Sequence, residues 1–257
     1  MTLVWRPGFS GLTDADAIAY VAAVEAADGQ ALEFGVGKAI NDFVVGCKLD
    51  GTWSAIKASC ILAGARTLNG ALVPLAGTAP TNNNFVAGDY NRKTGLVGNG
   101  SSKYLNSNRA NNADPQNSQH LAVYDTSLNS SDGARIGALG SLGDTTQHNY
   151  IDRFSNFRFS SRGFTATDAA TIAAPFLGLT RSASNLWSRR INSITTSGTQ
   201  VSAATTSTAN YFIFNRSGVD FYSSSRLAFY SIGESLDLAK LDARVTDLIT
   251  AIGAAIP

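Results

Sequence analysis

Few residues of this chain could do covalent chemistry. There are only two histidines, His120 and His148, and two cysteines, Cys47 and Cys60. A serine nucleophile of the hydrolase type needs a Gly-x-Ser-x-Gly elbow and a histidine base, and neither histidine neighbours such an elbow. His120 opens a predicted strand and His148 ends a polar turn, both places where a histidine is expected at the surface or on a sheet edge. A glycosidase needs two carboxylates across one cleft. On a strand, alternating spacing such as E-x-D-x-x-E would aim them there, and no such run exists. Glu234 and Asp237 stand at the start of a predicted helix, where capping or the helix dipole is sufficient reason for them. Glu25 and Glu33 fall in helical stretches, and Asp144, Asp152 and Asp168 fall in or near turn-rich ones. The chain reads as a non-enzyme.

Binding chemistry is better represented. Saccharides are held by amides and carboxylates that bond hydroxyls and by an aromatic face that covers the ring C–H groups. The stretch 105–118, LNSNRANNADPQNS, reads as a long surface loop and supplies Asn108, Arg109, Asn111, Asn112, Asp114 and Gln116. Trp187 and Tyr222 are the leading aromatic candidates, with Tyr104 and Tyr211 behind them. Calcium, a hard cation that takes loop oxygens, has candidate ligands in Asp89, Asn111, Asn112 and Asp114, in no recognised ligand spacing; otherwise no cofactor is expected. Two histidines and two cysteines support zinc poorly, and both thiols are expected to be buried and free on helical stripes. Gly98-Asn99-Gly100 is followed by a strand rather than a helix, so it is a turn and not a phosphate loop. Arg181, Arg189 and Arg190 are too few for a nucleic-acid site and read as an interface or solvated face. The net charge of +1 gives no electrostatic case for nucleic acid either.

The elements that must position these residues change character near residue 80. Before it the pattern is helical. Thr13 and Asp16 form a capping-box pattern, Ile18, Val21 and Val24 mark one face, and Gly29 stands where a helix ends. Leu32, Val36, Ile40, Phe43 and Cys47 recur at spacings of three and four over 31–48. A third helix is predicted from Thr52, with Trp53, Ile56, Cys60 and Ala63 on one stripe. From Asn82 onward the segments shorten to strand length and are broken by Gly, Asn, Asp and Ser. Strands are predicted at 93–97, 103–106, 120–126, 135–139, 149–153, 156–160, 175–181, 185–192, 211–216 and 226–232. The tail returns to helix, with Ser235 as a cap and Leu238, Leu241, Val245, Leu248 and Ile252 on one stripe. That stripe docks on the sandwich or forms a coiled-coil seam; barely two heptads favour docking.

The predicted organisation is a helical segment over 1–80, a β-sandwich over 81–234 and a C-terminal helix over 235–257. Charged residues are only 15%, against a usual quarter, so the polar surface is built from Asn, Ser, Thr and Gly, as on extracellular and virion surfaces. No apolar run approaches the roughly 18 residues of a membrane span. Residues 1–11 do not resemble a secretory leader.

Three runs carry a family resemblance. TGLVGNGSSKYLNS (94–107) resembles the opening strands of laminin G-like and concanavalin A-like sandwiches, FLGLTRSASNLWSRRINS (176–193) their middle strands, and SRLAFYSIGESLDLAKLDARVTDLI (225–249) the closing strand and helix. In AIAYVAAVEAADGQALEFGVGKAINDFVVGCKLDGTWSAIKASCILAGARTL (17–68), GDYNRKTGLVGNG (88–100) and LAFYSIGESLDLAKLDARV (227–245), the chain is similar to structural proteins of tailed-phage virions. The resemblance implies a mainly β, concanavalin A-like jelly-roll sandwich in a virion protein. The implied role is a tail fibre, spike or head fibre that contacts host glycans. A capsid decoration protein is the alternative, and a glycan hydrolase a more distant one. Implied partners are other virion proteins and copies of the chain itself, a trimer first, with residues 1–80 as the attachment segment.

Overall fold

The computed structural model describes residues 11–128, 131–140, 147–163, 165–168, 171–202 and 206–257. Asp144, weighed above as a carboxylate, and residues 1–10 lie outside them. Helix α1 (Ala15–Asp28) starts at Asp14, whose carboxylate accepts the Asp16 and Ala17 N–H groups, rather than at Thr13. It ends at Gly29 in the left-handed conformation (φ 65°). Ala17, Tyr20, Val21 and Val24 are its buried face, while Ile18 points outward. Helix α2 (Phe34–Leu49) follows and buries Val36, Ile40, Phe43 and Cys47 as their spacing predicts.

The third predicted helix is not formed. A single turn, Trp53–Ala55, leads instead into strand β1 (Ile56–Ile61). Ala58, Cys60 and Leu62 face one core of the protein, and Ile56, Ile61 and Ala63 face another. A strand covered on both faces is apolar throughout, so its alternation is hidden and it mimics a helical stripe. Cys60 is therefore a strand residue. Both cysteines are buried and free, and burial pushes their thiols up, Cys47 to about 11 and Cys60 to about 12.

A short helix α3 (Leu68–Ala71) precedes the remaining strands: β2 (Thr81–Asn83), β3 (Tyr90–Asn91), β4 (Gly95–Val97), β5 (Tyr104–Ala110), β6 (Gln119–Asp125), β7 (Gly133–Ala138), β8 (Asn149–Phe154), β9 (Asn156–Ser161), β10 (Thr165–Thr167), β11 (Phe176–Ala183), β12 (Leu186–Ile191), β13 (Ile194–Thr199), β14 (Asn210–Ile213) and β15 (Arg226–Gly233). Every predicted strand is present within a few residues of its expected bounds. The 94–107 run makes the Asn99 turn, whose side-chain oxygen accepts the Ser101, Ser102 and Lys103 N–H groups, as expected of a turn. Helix α4 (Leu238–Ala255) ends the chain, capped by Asp237 instead of Ser235. No described helix is long and apolar enough to cross a membrane.

The strands form two antiparallel sheets packed as a sandwich. One runs β13-β12-β11-β6-β15-β4-β3, with β1 also paired to β15; the other runs β10-β9-β8-β7-β14-β5-β2. Leu105, Val123, Ile151, Phe159, Leu179 and Ile213 are among the side chains that fill the space between them. The eight-stranded sheet is apolar on its other face too. There Tyr124, Phe176 and Phe229 pack against α1, α2 and α4, with Phe43 of α2 edge-on to Phe229 at 5.8 Å. Each such side chain contributes about 1.5–3 kcal/mol by leaving water. The helices are thus a third layer of one body. All five stripe residues of α4 are buried within this chain, so the stripe docks; Arg190 of β12 reaches Asp242 at 2.7 Å and Arg244 reaches Asp50 at 2.7 Å. Among the described residues no helix packs over the outer face of the seven-stranded sheet.

His120 is not at the surface. It is fully buried under this helical side of the sheet, with Nδ1 2.6 Å from the Glu234 carbonyl and Nε2 2.7 Å from Ser231 Oγ. A carbonyl only accepts, so Nδ1 carries the proton of the neutral ring and Nε2 accepts from the serine. Burial lowers the His120 pKa from 6.5 to about 4. The unfolded chain therefore binds this proton at higher pH than the folded one. Stability is expected to be fully present above about pH 6.5 and to fall by up to about 3 kcal/mol on the way to pH 4. Urea unfolding at pH 7.5, 5.5 and 4.5 measures this, and the slope should flatten in His120→Asn; an equal slope in that variant would remove His120 as its source.

Candidate functional site

The segment expected to be a long surface loop is instead partly strand and partly buried. Tyr104–Ala110 is β5 and Asn111–Ala113 is one tight turn. Asn111 and Asp114 turn inward and are almost inaccessible. Asn111 Oδ1 accepts from Tyr211 Oη and Arg162 Nε, and its amide donates to the Gln147 carbonyl. Asp114 holds Arg109 in a two-point ion pair. Asn108, at φ 57°, spends its side chain on the Ala79 carbonyl. Asn112 is exposed and Gln116 half-buried. These amides shape the chain because a buried polar group must find partners.

The aromatic candidates divide between the sheets. Trp187 on β12 is 5% exposed, with Arg189 stacked over it at 5.6 Å, so it offers no open face. Tyr222 is half-buried in the other sheet's surface layer, 6.0 Å from Tyr104 of β5. Tyr211 is wholly buried. The arginines are spoken for as well: Arg181 is buried among carbonyls, and Arg189 pairs with Asp168 at 2.5 Å. The calcium candidates are held by cations rather than grouped around a void, since Asp89 bonds Lys103 and Asp114 bonds Arg109. Among the described residues no three His, Cys, Asp or Glu side chains gather to hold a metal.

The structure instead assembles an open groove of about 580 Å³ between α1, the Trp53–Ala55 turn, the start of β1 and residues 74–76. Sequence reasoning placed Trp53 on a buried helical stripe and so missed it; the only signal was a tryptophan in a polar stretch, Gly51-Thr52-Trp53-Ser54. Because the chain turns here rather than continuing as helix, the indole is left half-buried as a wall of the groove. Its Nε1 donates to Asp16 Oδ2 at 3.2 Å. Asp16 also pairs with Lys48 at 2.7 Å, and the Lys48 ammonium lies 5.7 Å from the indole centroid. Lys48 further bonds Asp14 and holds that carboxyl below its usual range. The ring is therefore fixed before any ligand arrives, which spares ordering entropy on binding. Ala19 and Ala23 are exposed on α1 and leave the space open. Ser54 and Lys57 add a hydroxyl and an ammonium, the latter 2.9 Å from Glu234. One fixed aromatic face beside a carboxylate, a hydroxyl and an ammonium can hold a polyhydroxylated ring. Asp16 is the only carboxylate among the lining residues, whereas glycoside hydrolysis needs two about 5–10 Å apart.

A second cluster lies on the uncovered face of the seven-stranded sheet. Asp152 of β8 is fully buried and accepts from Arg158 at 2.8 and 2.7 Å and from Arg216 at 2.8 Å. Arg158 stacks on Tyr150 and Phe154, and Arg216 on Phe221 at 4.2 Å. Its components come from β8, β9 and the segment after β14, and its geometry is that of a clamp that pins this segment to the sheet.

No protein-family model matches the chain, and no curated protein matches it. Among solved structures, it is similar to domain 4 of a GH43 extracellular arabinanase from Geobacillus stearothermophilus in complex with arabinotriose, at 15% identity over 66% of this chain and 82% of that one, with a TM-score of 0.39. It is similar to the CBM40 of an IT-sialidase from Ruminococcus gnavus bound to α2,3-sialyllactose, at 12% identity over 49% of this chain and 80% of that one, with a TM-score of 0.37. It is also similar to a Trypanosoma rangeli sialidase at 11% identity and a TM-score of 0.49, covering 74% of this chain but only 32% of the sialidase. By its own sheet topology the chain is a mainly β protein, a sandwich of two antiparallel sheets with a few helices.

Proposed function

We propose that this chain is a non-catalytic saccharide-binding protein of a phage virion surface, a tail fibre, spike or head fibre, and that the Trp53 groove is where the saccharide sits. The observation that carries the binding reading is the pre-fixed indole wall of that groove, with Asp16, Ser54 and Lys57 beside it. The single lining carboxylate favours binding over hydrolysis. The virion placement rests on the resemblance of the sequence runs at 17–68, 88–100 and 227–245.

A glycan array probed with the full chain, followed by calorimetry on the hits with and without calcium, tests the reading. Trp53→Ala is expected to weaken binding at least about tenfold, roughly 1.4 kcal/mol, through loss of the stacked ring. Ala23→Trp fills the groove from an exposed helix position and is expected to weaken binding by as much without lowering the melting temperature. Phe154→Ala, on the opposite sheet, serves as the unaffected control. Binding that survives both groove variants would move the site elsewhere, and a folded chain that binds no glycan would leave the decoration role in its place.

A further inference from the structure

We infer that strand β13 is a docking edge for a second copy of this chain, which adds antiparallel across a two-fold axis and joins the two eight-stranded sheets. Among the described residues β13 ends its sheet and pairs with β12 alone. The two strands are joined by Asn192 and Ser193, both at positive φ (52° and 60°), the signature of a two-residue type I′ turn. Ile191 and Ile194 are therefore the first hydrogen-bonded pair, and bonding alternates from there. The main-chain groups of Ile194, Thr196 and Gly198 face β12; those of Thr195, Ser197 and Thr199 face outward. Among the described residues no backbone group meets that outward row.

Proteins usually blunt such an edge with Lys, Pro, a bulge or a covering segment. The run Ile194–Thr199, ITTSGT, holds no charge and no proline, and its pairing with β12 is regular. Apolar side chains stand exposed at both of its ends: Ile194 (65%) at one, and Val201 (69%) and Leu186 (40%, opposite Thr199) at the other. The nearest charged side chains of the hairpin, Arg189 and Arg190, are already paired with Asp168 and Asp242.

These features select a second copy over an unrelated strand. With the two-fold at Ser197, Ser197 faces its own symmetry mate through two main-chain bonds, and Thr195 faces Thr199 in the Thr–Thr pairing that sheets favour. Ile194 of one copy then lies opposite Gln200 of the other, twice per interface, on the sheet face away from Val201 and Leu186. No like charges meet. The contact is isologous and closes at two copies, in contrast to the trimer that the family resemblance implies. It does not depend on the saccharide reading.

Sedimentation velocity of the full chain over a wide concentration range tests this. The expected result is a reversible monomer–dimer equilibrium. Ser197→Pro removes the central outward N–H, which β12 does not use, and Ile194→Lys places a charge at the apolar end. Each is expected to raise the dimer dissociation constant at least tenfold, with the melting temperature of the monomer unchanged for Ile194→Lys. A chain monomeric at every concentration, a trimer, or a dimer untouched by Ile194→Lys would overturn the proposal.

Discussion

Replacing Arg162 by methionine is expected to lower the free energy of unfolding by about 4 kcal/mol and the melting temperature by roughly 10 °C. Arg162 is fully buried at the end of β9. Its Nε donates to Asn111 Oδ1, Nη1 to the Pro115 carbonyl, and Nη2 to the Asn111 and Asp114 carbonyls. The charge is thus compensated mainly by neutral oxygens of one segment, 111–115, whose turn it holds in place. Methionine fills a similar volume, so cavity formation contributes little. The loss comes from buried acceptors left without donors, at about 1–3 kcal/mol each before relaxation. Replacing both members of a buried ion pair can be nearly neutral, but here three of the four acceptors are main-chain carbonyls that no substitution removes. Denaturant unfolding measures the change, and hydrogen exchange should show residues 111–115 opening first. A loss below about 1 kcal/mol would mean that water replaces the guanidinium and that the segment is held by other contacts.

Asp152→Ala carries the second large effect, an expected loss of about 3 kcal/mol, at the lower end of the range for breaking a buried pair because both arginines keep some contact with water. It strips the shared counter-ion from Arg158 and Arg216, whose side chains are 25% and 18% exposed. It also frees the segment after β14, which Arg216 and Phe221 clamp to the sheet. Combining it with Arg216→Ala should cost clearly less than the sum of the two single losses, because both remove the same interaction. Additive losses in that cycle would show that Arg216 is held by its aromatic stacking alone. Saccharide binding at Trp53 should be unchanged in all three variants once each is folded.

The sequence by itself determined ten of the fifteen described strands and the amphipathic helices α1, α2 and α4. Short alternating runs such as 156–160, broken by turn residues, form strands because one face meets the core. Gly29 and the Leu238–Ile252 stripe mark helices because left-handed termination and 3.6-residue spacing are local properties. The tertiary structure alone decided what lies on both sides of an element. β1 is a strand because one sheet face meets the other sheet and its opposite face meets helices, and a run apolar on both faces carries no period to read. Asn111, Asp114 and His120 look like surface residues in the sequence, yet they are buried because donors and acceptors far along the chain meet them, as Asn111 meets Arg162 across 51 positions. The Trp53 groove has the same origin: Asp16, Trp53 and Lys57 converge only once α1 and β1 are laid side by side, and such convergence is a property of packing rather than of spacing.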